Sequence, residues 1–80
     1  MGNTPVELVA VNVKKARLRR RWSQEKLAGK CGIARPRISE LESGYYNPTV
    51  STVGLIATAM DLPIATLFRK SSIEQIKGVA

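Results

Sequence analysis

The chain has 80 residues, enough for one compact domain with a single small core. Thirteen Lys and Arg against six Asp and Glu give a formal charge of +7, which points to a polyanionic partner, either nucleic acid or an acidic membrane surface. With no histidine and one cysteine, the sequence excludes His-based triads, His-ligated metals, an internal disulfide and a thiolate zinc cage. We therefore expect no enzymatic activity, no cofactor and no metal.

The remaining composition favours a cytoplasmic protein, for which we expect no membrane contact and no small-molecule ligand. No apolar run approaches the roughly 20 residues that a membrane span requires. A lone cysteine is typical of a reducing compartment. We expect one domain over residues 1–80, with a core over 5–68 and a tail over 69–80.

Cap residues mark the first two helices. Thr4 can cap a helix over about residues 5–20, and Glu7 completes a capping box with it. Apolar residues then recur at helical spacing. A second helix of about eight residues follows the cap residue Ser23, and Gly32 ends it because glycine readily takes the left-handed conformation found after helices.

A third helix is predicted over residues 35–43. Ile38 and Leu41 lie on one side of it, and Gly44 closes it. Pro36 falls in the first turn, where a missing backbone donor costs little. Because Ala34 has no hydroxyl with which to cap this helix, its start depends on the proline instead.

The rest of the chain continues the helical pattern. Residues 45–49 indicate a loop, and apolar spacing predicts a fourth helix that ends near Asp61. A short fifth helix is predicted over 64–68, and a capping box at Ser71 predicts one more short helix. No segment shows the period-2 alternation of a strand. The fold class is therefore all-α, a compact five-helix bundle with a further short helix near the C-terminus.

Two short helices joined by a glycine-containing turn over residues 23–43 form a helix-turn-helix signature. The sequence resembles the Cro/XRE family of phage-repressor-type DNA-binding domains over about residues 9–68. The matching segments are WSQEKLA (22–28), CGI (31–33), ISELESG (38–44), NPT (47–49) and IATAM (56–60). The resemblance implies that the third helix enters the major groove of operator DNA and that the second lies across it with its N-terminus on the backbone.

The resemblance also implies roles for individual residues. It places Arg35, Pro36, Ser39 and Glu40 on the groove-facing side of the third helix. By chemistry, Arg35 suits guanine, Glu40 suits the amino group of cytosine and Pro36 suits a thymine methyl. The role of Arg37 is left open: it contacts a base, contacts a phosphate, or pairs with Glu40 or Glu42. The candidates for phosphate contacts are Gln24, Ser43, Tyr45, Tyr46 and Asn47.

Two further features complete the expected site. Arg17 and Glu42 match a pair that pins the first helix to the third in this family. Apolar residues near the C-terminus either cover the core or form a two-fold interface, and the resemblance favours dimerisation. The expected interface residues are Ile64, Leu67, Phe68 and Ile73.

Together these features predict a transcriptional regulator that binds palindromic double-stranded DNA as a homodimer. The stand-alone subtypes are restriction–modification controller proteins, small phage or plasmid repressors and other short XRE-type regulators. The controller proteins have about this length and come first. The alternative is an antitoxin, which binds a toxin protein as well as its own promoter.

Overall fold

The computed structural model describes residues 4–70, and all regular secondary structure in that range is helical. Four α-helices are followed by a short 3-10 helix. The elements are α1 (Pro5–Arg19), α2 (Gln24–Cys31), α3 (Arg35–Ser43), α4 (Val50–Ala59) and the 3-10 helix (Ile64–Phe68). This confirms the all-α bundle, while the helix expected after Ser71 lies outside the described residues. Within residues 4–70, every helix is too short or too polar to cross a bilayer.

Local capping explains where the α-helices begin. The Thr4 hydroxyl accepts a hydrogen bond from the Glu7 amide at 3.2 Å, and the Glu7 carboxylate accepts one from the Thr4 amide, which forms the expected capping box. The hydroxyls of Ser23 and Thr49 cap α2 and α4 by accepting hydrogen bonds from the amides three residues later, at 2.9 and 3.1 Å. Ala34 precedes α3 without a side-chain cap, as expected for a side chain that has no hydroxyl.

The fifth element is the expected short helix, and it has the 3-10 form. It has five residues, and Pro63 precedes it without a capping side chain. The amide of Thr66 donates to the carbonyl of Pro63 at 3.0 Å, which is the i to i+3 bond of a 3-10 helix. A segment this short gains few i to i+4 bonds, so the tighter helix is the outcome.

The core forms where the apolar sides of all five elements meet. Helix α1 packs against α3 and the 3-10 helix, and α2 packs against α3 and α4. The largest fully buried side chains are Val9, Val13, Leu27, Ile38, Leu41, Val53, Ile56, Met60 and Leu67. Cys31 is also buried at the edge of this core, and burial raises the pKa of its thiol. It is therefore a packing residue rather than a reactive thiol.

The junction between α1 and α2 is a tight reversal at Arg21, whose φ of 59° lies in the left-handed region. The Arg21 amide donates to the carbonyl of Leu18 at 2.9 Å, and the Trp22 amide donates to the carbonyl of Arg17 at 3.1 Å. These two bonds end α1 and return the chain at once. The reversal brings the carbonyl of Trp22 next to the side chain of Arg17, which donates a hydrogen bond to it.

Candidate nucleic-acid interface

Helices α2 and α3 and the turn between them form a helix-turn-helix unit. Gly32 ends α2 with φ of 72° and ψ of 23°, a conformation that favours glycine. Gly44 ends α3 in the same way with φ of 83°. Both glycines were identified from the sequence as helix ends. The turn between the helices therefore has only Gly32, Ile33 and Ala34, so the start of α3 is held rigidly against α2.

Helix α3 has one buried side and one exposed side. Ile38 and Leu41 are 0% and 1% exposed and fix the inner side in the core. The outer edge is solvent-exposed along the whole helix and begins at its first residue. It carries the five residues that the sequence analysis assigned to base contacts, namely Arg35, Pro36, Arg37, Ser39 and Glu40.

A buried ion pair holds α3 against α1. The Arg17 guanidinium donates from Nε to Glu42 Oε2 at 2.7 Å and from Nη2 to Oε1 at 2.9 Å. The two side chains are only 9% and 3% exposed. Arg17 Nη1 also donates to the carbonyl of Trp22 at 2.7 Å. Hydrogen bonds to Glu42 raise the pKa of Arg17 above its ordinary value. This is the pair that the resemblance implied, and it fixes the orientation of α3 on the bundle.

Gln24 is tied to the same carboxylate. Its side-chain amide donates to Glu42 Oε1 at 3.1 Å, and the residue is half-buried at the first position of α2. The assignment of Gln24 to a phosphate remains a prediction. In this structure the side chain connects the start of α2 to α3, and such a position gives it a role in orienting the unit.

Arg37 lies on the opposite flank of α3 from Arg35 and contacts two neighbours. Its guanidinium carbon is 4.7 Å from the ring centre of Tyr46, and Nη1 donates to the Tyr46 hydroxyl at 3.0 Å. Its Nε is 3.6 Å from Glu40 Oε1, an exposed ion pair along one turn of the helix. Among the partners that the sequence left open for Arg37, the structure forms the one with Glu40. The contact with Tyr46 was not expected.

The loop after α3 carries the other candidate phosphate contacts. The Ser43 hydroxyl donates to the carbonyl of Glu40 at 2.6 Å and is exposed. Tyr45 is 92% exposed, whereas Tyr46 packs against the edge of the core. Asn47 is exposed. Ser43 is the last residue of α3, and the other three lie on the segment that leads into α4.

The residues expected at a dimer interface occupy different environments. Ile64 and Phe68 are 37% and 39% exposed and present an apolar surface. Leu67 is fully buried in this chain's own core, so its assignment to the interface is wrong. The packing of the 3-10 helix against α1 and α4 places Leu67 in the core, while Ile64 and Phe68 keep part of their surface exposed. Ile73 lies outside the described residues.

A basic groove between α1 and the 3-10 helix was not identified from the sequence. It encloses about 380 Å³ and includes five cationic residues, Lys15, Arg19, Arg20, Arg69 and Lys70. These residues belong to α1 and to the segment around the 3-10 helix, so the groove lies outside the helix-turn-helix unit. The sequence feature that could have revealed it is the i, i+4 spacing of Lys15 and Arg19, together with a second basic pair after the 3-10 helix. In the described part of the chain, no cluster of acidic, Cys or His residues could hold a metal ion.

The fold and the exposed edge of α3 define a helix-turn-helix domain of the kind that binds DNA. A helix-turn-helix family model, HTH_3, matches residues 13–67. The chain therefore belongs to the HTH_3 family, the XRE-type transcriptional regulators, which are DNA-binding proteins and not enzymes. This confirms the family that the sequence resembles.

Known relatives agree with the family assignment. The HTH-type transcriptional regulator SutR of Escherichia coli is 31% identical over 58 residues, which is 72% of this chain and 33% of that protein. The solved structure of the hypothetical transcription factor NHTF from Neisseria has a TM-score of 0.86 at 27% identity, covering 96% of this chain and 87% of the other. The restriction-modification controller protein C.AhdI from Aeromonas hydrophila has a TM-score of 0.74 at 28% identity, covering 76% and 92%.

The chain spans only part of its curated relatives. It covers 33% of SutR and 56% of the Bacillus subtilis regulator YqaE. The matched portion is the helix-turn-helix region described above, since the family model covers residues 13–67.

Proposed function

We propose that this protein is a sequence-specific transcriptional regulator that binds palindromic operator DNA as a homodimer, with α3 in the major groove. The observation that carries the proposal is the outer edge of α3, which is polar and exposed while its inner edge is held by Leu41 and the Arg17–Glu42 pair. A rigid helix with an accessible polar edge is what major-groove reading requires.

Base reading is assigned to residues 35–40 of α3. Arg35 is exposed at the first helical position and has a planar guanidinium that suits O6 and N7 of guanine. Glu40 accepts from the amino group of cytosine, Ser39 contacts either kind of base edge, and Pro36 contacts a thymine methyl. Phosphate contacts, which fix the register, are assigned to Ser43, Tyr45 and the neighbouring loop.

Dimerisation is assigned to the exposed apolar surface that includes Ile64 and Phe68. Two copies joined there carry two recognition helices, which must be roughly 34–36 Å apart to reach successive major grooves. Two-fold symmetry of the protein then demands an operator with two inverted half-sites. The controller proteins that this fold resembles make regulation of restriction–modification genes the first subtype to test.

Selection of binding sites from random duplex DNA at physiological salt tests the function. The wild-type protein is expected to enrich one motif with inverted symmetry. Arg35→Ala is expected to lose preference at one base position in each half-site, by about 10- to 100-fold, because a bidentate contact discriminates by roughly 1–3 kcal/mol. Arg69→Ala is the matched control, since it removes the same charge from the end of the 3-10 helix, outside the helix-turn-helix unit.

The outcomes separate specific from general binding. A motif that is unchanged in Arg35→Ala contradicts the assignment of the base reader. Recovery of no motif, with affinity set by ionic strength alone, refutes sequence-specific regulation and leaves only non-specific electrostatic binding.

Sedimentation at micromolar concentration tests the assembly. The wild-type protein is expected to sediment as a dimer and Phe68→Asp as a monomer, because a buried carboxylate at an apolar interface costs several kcal/mol. Val11→Asp is the control, because Val11 is similarly exposed at 42% but lies on α1. A wild-type monomer that binds single half-sites tightly contradicts the dimer.

A further inference from the structure

The contacts of Arg37 connect α3 to the loop that follows it. The guanidinium stacks on Tyr46 at 4.7 Å and donates to its hydroxyl at 3.0 Å, while Nε faces Glu40 Oε1 at 3.6 Å. The three residues therefore form a chain that runs from the loop, through the arginine, to the outer edge of the recognition helix. We refer to Tyr46, Arg37 and Glu40 as the outer triad.

Tyr46 is the fixed end of the outer triad. Its ring packs against the core and is half-buried, in contrast to Tyr45, which is 92% exposed. A ring fixed by the core offers a stationary face for a planar cation, and guanidinium groups stack on such faces. Arg37 thus has a defined position, although its side chain is 51% exposed.

Glu40 is the end that faces DNA, and a carboxylate there needs compensation. It is 62% exposed on the outer edge of α3, where it would approach the negatively charged backbone of a duplex. An ionised carboxylate can only accept hydrogen bonds, so its complement in the major groove is an exocyclic amino group. Removing water from an unpaired carboxylate is costly, and a neighbouring cation offsets that cost.

The arginine is better placed to assist Glu40 than to read a base itself. With 100° per residue around α3, Arg35 and Arg37 fall on opposite flanks, and Arg37 lies on the flank next to the loop. Its Nε and Nη1 are already directed at Glu40 and Tyr46. These contacts keep the Arg37 guanidinium beside the Glu40 carboxylate, on the side of the loop, and away from the position of a base.

We propose that Arg37 and Tyr46 are positioning residues for Glu40 and so determine specificity at the base that Glu40 contacts. Tyr46 holds the guanidinium, and the guanidinium orients the carboxylate and compensates its charge while Glu40 accepts from a cytosine or adenine amino group. This rests on the proposed function, because it requires α3 to lie in the major groove.

Base preferences at every operator position, measured by competition with a library of single-base variants, test the proposal. Glu40→Ala loses preference at one position of each half-site, by about tenfold. Arg37→Met reduces preference at that same position by a similar factor, and Tyr46→Phe reduces it by about threefold, since only one hydrogen bond is removed. Adding Arg37→Met to Glu40→Ala causes no further loss at that position.

Glu40→Gln makes the test independent of folding and of overall affinity. The neutral amide keeps the shape and the acceptor oxygen but has no charge to compensate, so Arg37→Met leaves the preference of a Glu40→Gln protein unchanged. The melting temperature of each variant is measured alongside. A merely structural role for Arg37 predicts equal losses at all positions in both backgrounds, which overturns the proposal.

Other outcomes also have a definite meaning. If Arg37→Met weakens all sequences alike and lowers the salt dependence by about one ion, Arg37 contacts a phosphate and the proposal is wrong. Loss of preference at a different base means that Arg37 reads that base, which also overturns it. If the wild-type protein has no base preference at all, the proposed function fails as well, and the two failures are distinguishable.

Discussion

Helix α3 takes part in two Arg–Glu pairs of the same chemistry, one buried and one exposed. Arg17 and Glu42 meet through two hydrogen bonds of 2.7 and 2.9 Å, with side chains 9% and 3% exposed. Arg37 and Glu40 approach only to 3.6 Å, with side chains 51% and 62% exposed. The inner pair joins two helices, whereas the outer pair joins successive turns of one helix.

The difference in burial separates folding from recognition. Inside the protein, an unpaired charge is costly, so each member of the inner pair depends on the other. At the surface, water solvates both charges, and an exposed pair contributes little to stability. The inner pair therefore fixes where α3 lies, while the outer pair leaves its charges available to DNA.

The largest expected effect is the loss of the inner pair. Arg17→Met leaves the Glu42 carboxylate buried without its cation and removes the donor to the Trp22 carbonyl. We expect the free energy of unfolding to fall by about 3–5 kcal/mol. Urea denaturation followed by circular dichroism measures it. A loss below about 1 kcal/mol would mean that the two pairs do not differ as their burial indicates.

Replacing both partners sharpens the interpretation. Arg17→Met with Glu42→Leu removes the stranded charge, and we expect it to recover at least half of the stability lost in Arg17→Met, because apolar substitutes for buried pairs are often neutral. No recovery would indicate that the hydrogen bonds to Trp22 and Gln24, rather than the charge, account for the loss.

The smallest expected effect is on the outer pair. Arg37→Met should change the free energy of unfolding by less than about 0.5 kcal/mol, and the small change should disappear at 1 M salt, because exposed charges are screened. The same denaturation experiment at low and high salt measures it. A loss comparable to that of Arg17→Met would place Arg37 among the structural residues and remove the contrast.

Local sequence signals predicted most of the fold. Caps such as Ser23 and the left-handed glycines Gly32 and Gly44 act over a few residues, so they can be identified without tertiary structure. The short fifth helix was predicted, but its 3-10 form was not, because five residues carry too little periodicity to distinguish it from an α-helix. Leu67 was misplaced because its burial depends on how this helix packs against α1 and α4.

The site was predictable where it follows from a helix face and not where it depends on a loop. The exposure of Pro36 and Glu40 follows from the burial of Ile38 on the opposite side, whereas Arg35 is exposed at the first position of α3. The contact of Arg37 with Tyr46 depends on the path of residues 44–49, which have no periodic pattern. The basic groove depends likewise on where the end of the 3-10 helix packs against α1.

The polar edge of α3 and the basic groove between α1 and the 3-10 helix are two candidate DNA-binding surfaces, so the position of DNA is the decisive question. Amide chemical shifts of the ¹⁵N-labelled protein, measured on addition of a selected operator duplex, answer it directly. We expect the largest changes in α3, at the first turn of α2 and in residues 44–49. Changes concentrated instead around Lys15, Arg69 and Lys70, with α3 unaffected, would contradict the assignment of α3 as the recognition helix.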